Sequence, residues 1–209
     1  MVRAARTLLV RIDSLSEVDG MPVKIGVNAS ARQLSSPDFG KSCERVLSET
    51  NLTPSLLGLE ITEGLLLQDS AKILDQLAQL KKLGVKIAMD DFGTGYSSLS
   101  YLWRFPFDKI KIDRSFVAEM QDNAAIADIL RTIALLGQTL NLEVTAEGVE
   151  NGAVARRLRE LGCEYAQGYY FGRPVPRDQL LFVSGSPRRT AAPPPERDRA
   201  TDAPSHGPR

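Results

Sequence analysis

Six short apolar runs, each ending in a polar residue and most of them separated by helix-type stretches, constrain the fold of this chain more than any other feature. The runs are Val23 to Val27, Leu57 to Ile61, Val85 to Met89, Lys109 to Ile112, Leu142 to Thr145 and Tyr165 to Tyr169. Their length and β-branched content predict buried strands. Between them, Ser70 to Leu83 places Ile73, Leu74, Leu77 and Leu80 on one helical face, with Asp69 or Ser70 as N-cap and Gly84 as stop. Asp122 to Leu140 predicts a longer apolar-faced helix, and Asn151 to Leu161 carries Val154, Leu158 and Leu161 before Gly162. Ser36-Pro37 predicts another helix start, by the rule that places proline in the first turn. The link from Met89 to Lys109 holds at most a short helix, Tyr96 to Leu102. Strands alternating with helices predict an α/β fold with a parallel sheet under a helical cover.

The polar strand ends choose between the two common architectures. Asn28, Glu60, Asp90 with Asp91, Lys111 with Asp113, Glu147 and Gln167 all fall at or near the C-terminal ends of successive strands. A TIM-type (β/α) barrel gathers those ends on one face, where such barrels place their active sites. A doubly wound open sheet would spread them along a line and concentrate ligands at one switch point. Convergence predicts the barrel. A complete barrel takes about 250 residues and eight strands, so the six runs predict an incomplete one, with helices outside and about two βα units absent before Val23. The expected domain covers residues 1–183. The segment Val2 to Leu15 reads as a helix that covers part of the open side.

From Ser184 to Arg209 the chain turns to Pro, Arg and Ala and holds half of its prolines, which predicts a disordered tail at residues 184–209. The single histidine, His206, lies there. Serine-histidine, cysteine-histidine and histidine-rich zinc chemistries are thereby removed from the folded part. Lys plus Arg equals Asp plus Glu at 26 each, and no basic stripe interleaved with aromatics marks a long nucleic-acid footprint. The two cysteines, Cys43 and Cys163, have neither zinc-site spacing nor the density of a secreted scaffold. No apolar run approaches the roughly 20 residues of a membrane span. A cytoplasmic protein is expected. Any catalysis rests on carboxylates, amides and lysine, and hard oxygen ligands favour Mg²⁺ or Mn²⁺ over softer metals.

The run Val85 to Leu99, VKIAMDDFGTGYSSL, sends an alternating strand into adjacent carboxylates, Asp90 and Asp91, and then into a glycine-rich turn. Two acids at the exit of a buried strand repel each other unless a cation, a proton or hydrogen bonds compensate. The plainer alternative is a helix start, in which Asp91 or Thr94 accepts from free backbone N–H groups.

With these residues in place, the sequence resembles the EAL family of bacterial cyclic-di-GMP phosphodiesterases. The motifs that carry the resemblance are Asn28 to Leu34 (NASARQL), Glu60-Ile61-Thr62-Glu63, Asp90 to Leu99 (DDFGTGYSSL), Lys111-Ile112-Asp113, Glu147-Gly148-Val149-Glu150 and Gln167-Gly168-Tyr169. They stand in family order between about Val23 and Leu181. The resemblance implies hydrolysis of one phosphodiester bond of cyclic di-GMP to linear pGpG with two Mg²⁺ or Mn²⁺ ions, a chemistry in which paired metals activate water and neutralise phosphate. By resemblance, Asn28, Glu60 and Asp90 are metal ligands, with Asp90 bridging the ions and Asp91 serving the second. Glu147 is a second-metal ligand or the general base. Lys111 positions the water or offsets phosphate charge, and Gln167 stands beside the reacting centre. Glu63 and Glu150, with Thr94 and Asp113, are supporting residues, and Glu63 holds the loop from Asp91 to Ser98, which the family links to dimerisation.

Plainer readings stand beside these. Asn28-Ala29-Ser30 matches a glycosylation sequon, Lys111 and Asp113 match a surface ion pair, Gln167 a loop hydrogen-bonder, and Glu63 and Glu150 match helix caps. Asp91-Phe92-Gly93 matches the kinase metal motif, but the other kinase elements are missing. The sequence contains no Glu-Ala-Leu, whose glutamate is a family metal ligand, and no early Gln-Pro strand. The expectation is therefore an N-terminally truncated member of low activity. The alternative is a non-catalytic module that binds cyclic di-GMP or a protein partner, as a homodimer or with an upstream regulatory protein.

Overall fold

The structure is a computed structural model that describes residues 17–18, 21–22, 24–67, 70–95 and 99–175, with the side chains of residues 17, 18, 21, 22, 67, 70 and 99 left aside. The chain divides into two compact units, Met1–Val175 and Pro176–Arg209, and every described residue belongs to the first. The segment Val2 to Leu15, the tail at residues 184–209 with His206, and Tyr96 to Ser98 of the glycine-rich motif lie outside the described residues.

A short antiparallel pair, β1 (Glu17–Val18) and β2 (Met21–Pro22), precedes a six-stranded sheet. The strands are β3 (Ile25–Asn28), β4 (Leu57–Thr62), β5 (Lys86–Phe92), β6 (Lys109–Ile112), β7 (Glu143–Ala146) and β8 (Tyr165–Ala166), all parallel and adjacent in chain order. The helices are α1 (Ala31–Leu34), α2 (Phe39–Thr50), α3 (Ser70–Lys82), α4 (Leu99–Arg104), α5 (Arg114–Glu119), α6 (Ala124–Leu140) and α7 (Gly152–Glu160). Sequential parallel strands joined through helices make an incomplete (β/α) barrel, as expected.

Register divides the sheet into two faces. The pairs Leu59↔Ile87, Met89↔Ile110 and Ile110↔Val144 place apolar side chains on the face toward the helices. Leu57, Ile61, Ile87, Met89 and Ile110 are fully buried there, together with Leu77 and Leu80 of α3 and Leu130 of α6. The opposite face runs through Gly26↔Gly58, Asn28↔Glu60, Ala88↔Lys109 and Lys111↔Thr145. That concave face is polar. Gly26, Gly58, Glu60, Lys109, Glu143 and Gln167 help to line a hollow of about 690 Å³ on it. Burying one face and charging the other fixes the register, because a slip of one residue would exchange them.

The lower rim of the sheet is tied by one residue. Asp108 donates its N–H to Ile87 O at 2.8 Å and accepts from Glu143 N on its own carbonyl at 2.9 Å, which joins β5, β6 and β7. Its carboxylate accepts from Ile87 N (2.9 Å) and pairs with Lys81 of α3 (2.7 Å) and Lys86 (3.0 Å). Close helix packing needs Gly137 of α6, where a Cβ would run into Val144 Cγ2 and Leu142 O.

Several elements differ from the sequence expectation. The stretch Ser36-Pro37-Asp38 is a turn, and α2 begins only at Phe39, with no side-chain hydrogen bond from Asp38 at its cap. The last strand stops at Ala166 rather than Tyr169, because Gln167 N donates to Ala146 O and Tyr170 N then turns back to Val149 O. The cap of α6 is Asn123, which accepts from Ala125 N, so this helix starts after Asp122. Helix α5 was not expected at all; Asp113 caps it by accepting from Ser115 N (3.0 Å) and Ser115 Oγ (2.5 Å).

Burial pushes the Asp108 pKa up, but the hydrogen bonds from Lys81, Ile87 and Lys86 outweigh it and hold the carboxyl below its ordinary value of 3.8. A carboxyl depressed in the folded state stabilises above its unfolded pKa, and that stabilisation is lost as pH falls through the folded pKa. Asp108→Asn is expected to cost about 1–3 kcal/mol at pH 7. Urea titration should show the gap to wild type narrowing steadily below about pH 4.

Candidate active site

Three strand exits converge on one ammonium. Lys111 Nζ lies 2.7 Å from Glu60 Oε2, 3.0 Å from Asp90 Oδ1 and 2.6 Å from Glu147 Oε1. Glu60 comes from β4, Asp90 from β5, Lys111 from β6, and Glu147 follows β7, where its N–H donates to Ile112 O at 3.1 Å. The Lys111 side chain is only 7% exposed. Burial alone would lower its pKa, but the contacts with Glu147, Glu60 and Asp90 prevail and raise it above the usual lysine value, so the ammonium stays charged. Three carboxylates against one ammonium leave the cluster with formal charge near −2.

Each member reaches this point for a local reason. Gly26 of β3 has no side chain, and a Cβ there would strike Glu60 Oε1; the glycine lets the glutamate lie across the neighbouring strand. Asp90 and Asp91 sit in a register irregularity between Met89 and Phe92, and Asp91 takes left-handed geometry at φ 54°. For a residue with a Cβ that conformation costs roughly 1–2 kcal/mol. Such a bulge re-aims side chains where a strand leaves its ladder. The half-buried Asp91 carboxyl has its pKa raised by burial, then by the charges of Asp90 and Asp113. Gly93 and the backbone of Asp91 close a turn, in which Thr94 Oγ1 donates to Asp91 O at 2.8 Å. Helix α4 starts later, at Leu99, so neither Asp91 nor Thr94 caps a helix.

The remaining expected residues surround this cluster in different ways. Asn28 is exposed at the end of β3, in register with Glu60, and Ala29 N donates to Glu60 O at 2.8 Å. Part of its motif is structural, since Ser30 and Gln33 form a reciprocal capping box at α1. Glu63 is buried and accepts from Gly93 N at 3.4 Å, while Gly95 leaves room for its carboxylate. Gln167 is exposed, and its carbonyl accepts from Val149 N at 3.0 Å, which fastens the loop that carries Glu147. Gly168 packs so closely on the Val149 backbone that no Cβ fits. Glu150 is exposed and lines a separate 350 Å³ groove with Arg114, Ser115 and Asn151; the helix cap is Asn151, which accepts from Ala153 N and Val154 N. Asp113 caps α5 and pairs with Ser115 rather than Lys111.

Sequence reading did not single out Thr145. It is buried on the concave face, in register with Lys111, and its Oγ1 has no hydrogen-bond partner among the described residues. Strand alternation back from Glu147 would have placed it there.

The donor chemistry fits a divalent cation. The oxygens are hard, the net charge is negative, and Asp90 Oδ1 is buried without a well-aligned hydrogen bond despite its proximity to the ammonium. The present spacing is that of an ammonium-centred cluster. Among the described residues, no group of three or more acidic, histidine or cysteine side chains forms a ready-made metal site.

The EAL domain family model matches residues 3–174. This chain belongs to the EAL domain family. Among its relatives, an uncharacterised signalling protein of Caulobacter vibrioides is 48% identical over 79% of the chain, which spans 21% of that protein. The cyclic di-GMP phosphodiesterase RocR of Pseudomonas aeruginosa is 40% identical over 80% of the chain, which spans 43% of it. The chain thus covers less than half the length of these relatives. In three dimensions this EAL domain resembles the PaMucR phosphodiesterase in complex with c-di-GMP, at TM-score 0.75 and 42% identity, covering 86% of this chain and 71% of that one. It also resembles the manganese and cy-diGMP complex of Klebsiella pneumoniae BlrP1, at TM-score 0.76 and 28% identity, covering 83% and 44%. No helix among the described residues of the EAL domain is long and apolar enough to cross a membrane.

Gly26→Ala would push the Glu60 carboxylate off its place beside Lys111. It is expected to shift the ¹⁵Nζ signal of Lys111, while the far-ultraviolet circular dichroism spectrum stays unchanged; nuclear magnetic resonance checks the first and the dichroism spectrum the second.

Proposed function

We propose that the strand-end cluster is the metal-binding and proton-handling part of a phosphodiesterase site for cyclic di-GMP, which opens one phosphodiester bond to give linear pGpG. The observation that carries this reading is the convergence of Glu60, Asp90 and Glu147 within 3.0 Å of one buried ammonium. An all-oxygen, net-negative pocket of this kind, in a chain similar to phosphodiesterases and to a manganese complex, favours two divalent ions, Mg²⁺ or Mn²⁺. Such ions lower the pKa of bound water and screen phosphate charge.

Asn28, Glu60, Asp90 and Asp91 would hold the ions. Glu147 either completes the second set or takes the proton of the attacking water at Oε1. Lys111 presents positive charge to the phosphoryl oxygens as they become more negative, and burial strengthens that interaction. Gln167 offers an amide at the mouth of the site. Glu63 keeps the turn that carries Asp91 in position through Gly93 N, and the Asp91 geometry depends on that support. Asp113 and Thr94 brace the same rim. Glu150 contributes charge from outside the cluster.

The expected setting is the cytoplasm, with a second copy of the chain or an upstream regulatory protein as partner. The lysine that occupies the convergence of the three carboxylates favours a second reading, a module that binds cyclic di-GMP without cleaving it. Chromatography of cyclic di-GMP incubated with purified protein and Mn²⁺ separates the two. The first reading predicts slow release of pGpG, reduced at least a hundredfold by Glu147→Gln. Binding of cyclic di-GMP without any pGpG would select the second.

A further inference from the structure

The ammonium of Lys111 stands where the carboxylates of Glu60, Asp90 and Glu147 converge, and each carboxylate it contacts is one assigned above to the metal-binding and proton-handling cluster. Lys111 is buried and held from three sides. A divalent cation and the ammonium cannot occupy the same point among these three carboxylates. A metal–oxygen bond of about 2.0–2.1 Å for Mg²⁺ is much shorter than the 2.6–3.0 Å contacts of the ammonium. The carboxylates must therefore close in as the ammonium leaves.

We propose that Lys111 is a displaceable internal counter-ion: it competes with divalent cations for Glu60, Asp90 and Glu147, and so sets the cation affinity of the site. This rests on the metal-binding reading given above and goes beyond it, because the lysine then opposes metal binding rather than only serving the phosphate. Two effects of removing the lysine point in opposite directions. Without the ammonium the three carboxylates repel and spread, which loosens the ligand set. The site also gains one net negative charge and has nothing to expel. The charge effect is the larger, since a bound divalent cation draws the three carboxylates together again and relieves their repulsion.

The test is calorimetric titration of the full chain with MnCl₂, comparing wild type with Lys111→Met, Lys111→Gln and Lys109→Met, after melting curves show which variants fold. Lys109 removes the same charge from the same strand, but it pairs with Glu143 at 3.2 Å and lies over Tyr165, away from the cluster. The expected result is Mn²⁺ binding at least tenfold tighter in Lys111→Met or Lys111→Gln, and within about threefold of wild type in Lys109→Met. Equal or weaker binding in the Lys111 variants overturns the proposal and assigns the lysine to holding the ligands in place. A gain in Lys109→Met as large as in the Lys111 variants also overturns it, since the effect would then be the general field. Failure of wild type and every variant to bind Mn²⁺ defeats the metal reading itself, a pattern distinct from both. Should neither Lys111 variant fold, the ¹⁵Nζ signal of Lys111 in wild type decides: Mg²⁺ is expected to shift it while that of Lys109 stays, and an unmoved Lys111 signal under saturating Mg²⁺ overturns the proposal.

Discussion

The contact between the Lys111 ammonium and the carboxylates of Glu60, Asp90 and Glu147 draws on four consecutive strand units and depends on all of their registers at once. Slipping β6 by one residue would turn Lys111 toward the helices and bring Ile110 or Ile112 to the acids. The apolar face prevents this, because Ile110 and Ile112 are fully buried against the helical layer. Packing on one side of the sheet thus positions charge on the other. The cluster in turn makes the concave face tolerable, since crowded carboxylates without a cation would repel one another.

The same division of labour recurs at the two rims. At the lower rim Asp108 joins β5, β6 and β7 through backbone and lysine contacts that have no part in the chemistry. At the upper rim the contacts support the cluster. Glu63 holds Gly93, Gln167 and Gly168 hold Val149, and Gly26 makes room for Glu60. A strained Asp91 sits between them, which places backbone strain beside the chemistry rather than in the body of the fold.

Much of this was legible in the sequence because strand periodicity is short and barrels place chemistry at strand exits. Six apolar runs became the six strands of the sheet, and Glu60, Asp90, Lys111 and Glu147 came together from their position at those exits alone. What could not be read depended on contacts between distant residues. The bulge at Asp90-Asp91 follows from a register break with β6, and the early end of β8 from the turn of Gln167 back toward Ala146 and Val149. Asp113 was read with Lys111 because they are close in sequence, yet β6 ends at Ile112 and Asp113 caps α5 instead. Ser36-Pro37 carried a helix-start signal, but Ser36, Pro37 and Asp38 form a turn and α2 begins at Phe39. Thr145, without a motif of its own, was visible only once register placed it beside Lys111.

The central claim is that one register-locked cluster, Glu60, Asp90 and Glu147 around Lys111, is the cation site of this EAL domain. Anomalous diffraction from crystals grown with Mn²⁺ tests it most directly. The account predicts a manganese peak within ligand distance of carboxylate oxygens from Glu60, Asp90 and Glu147, with the Lys111 ammonium moved away from that point. A peak elsewhere on the molecule, with the lysine still bound to all three carboxylates at saturating Mn²⁺, would contradict it.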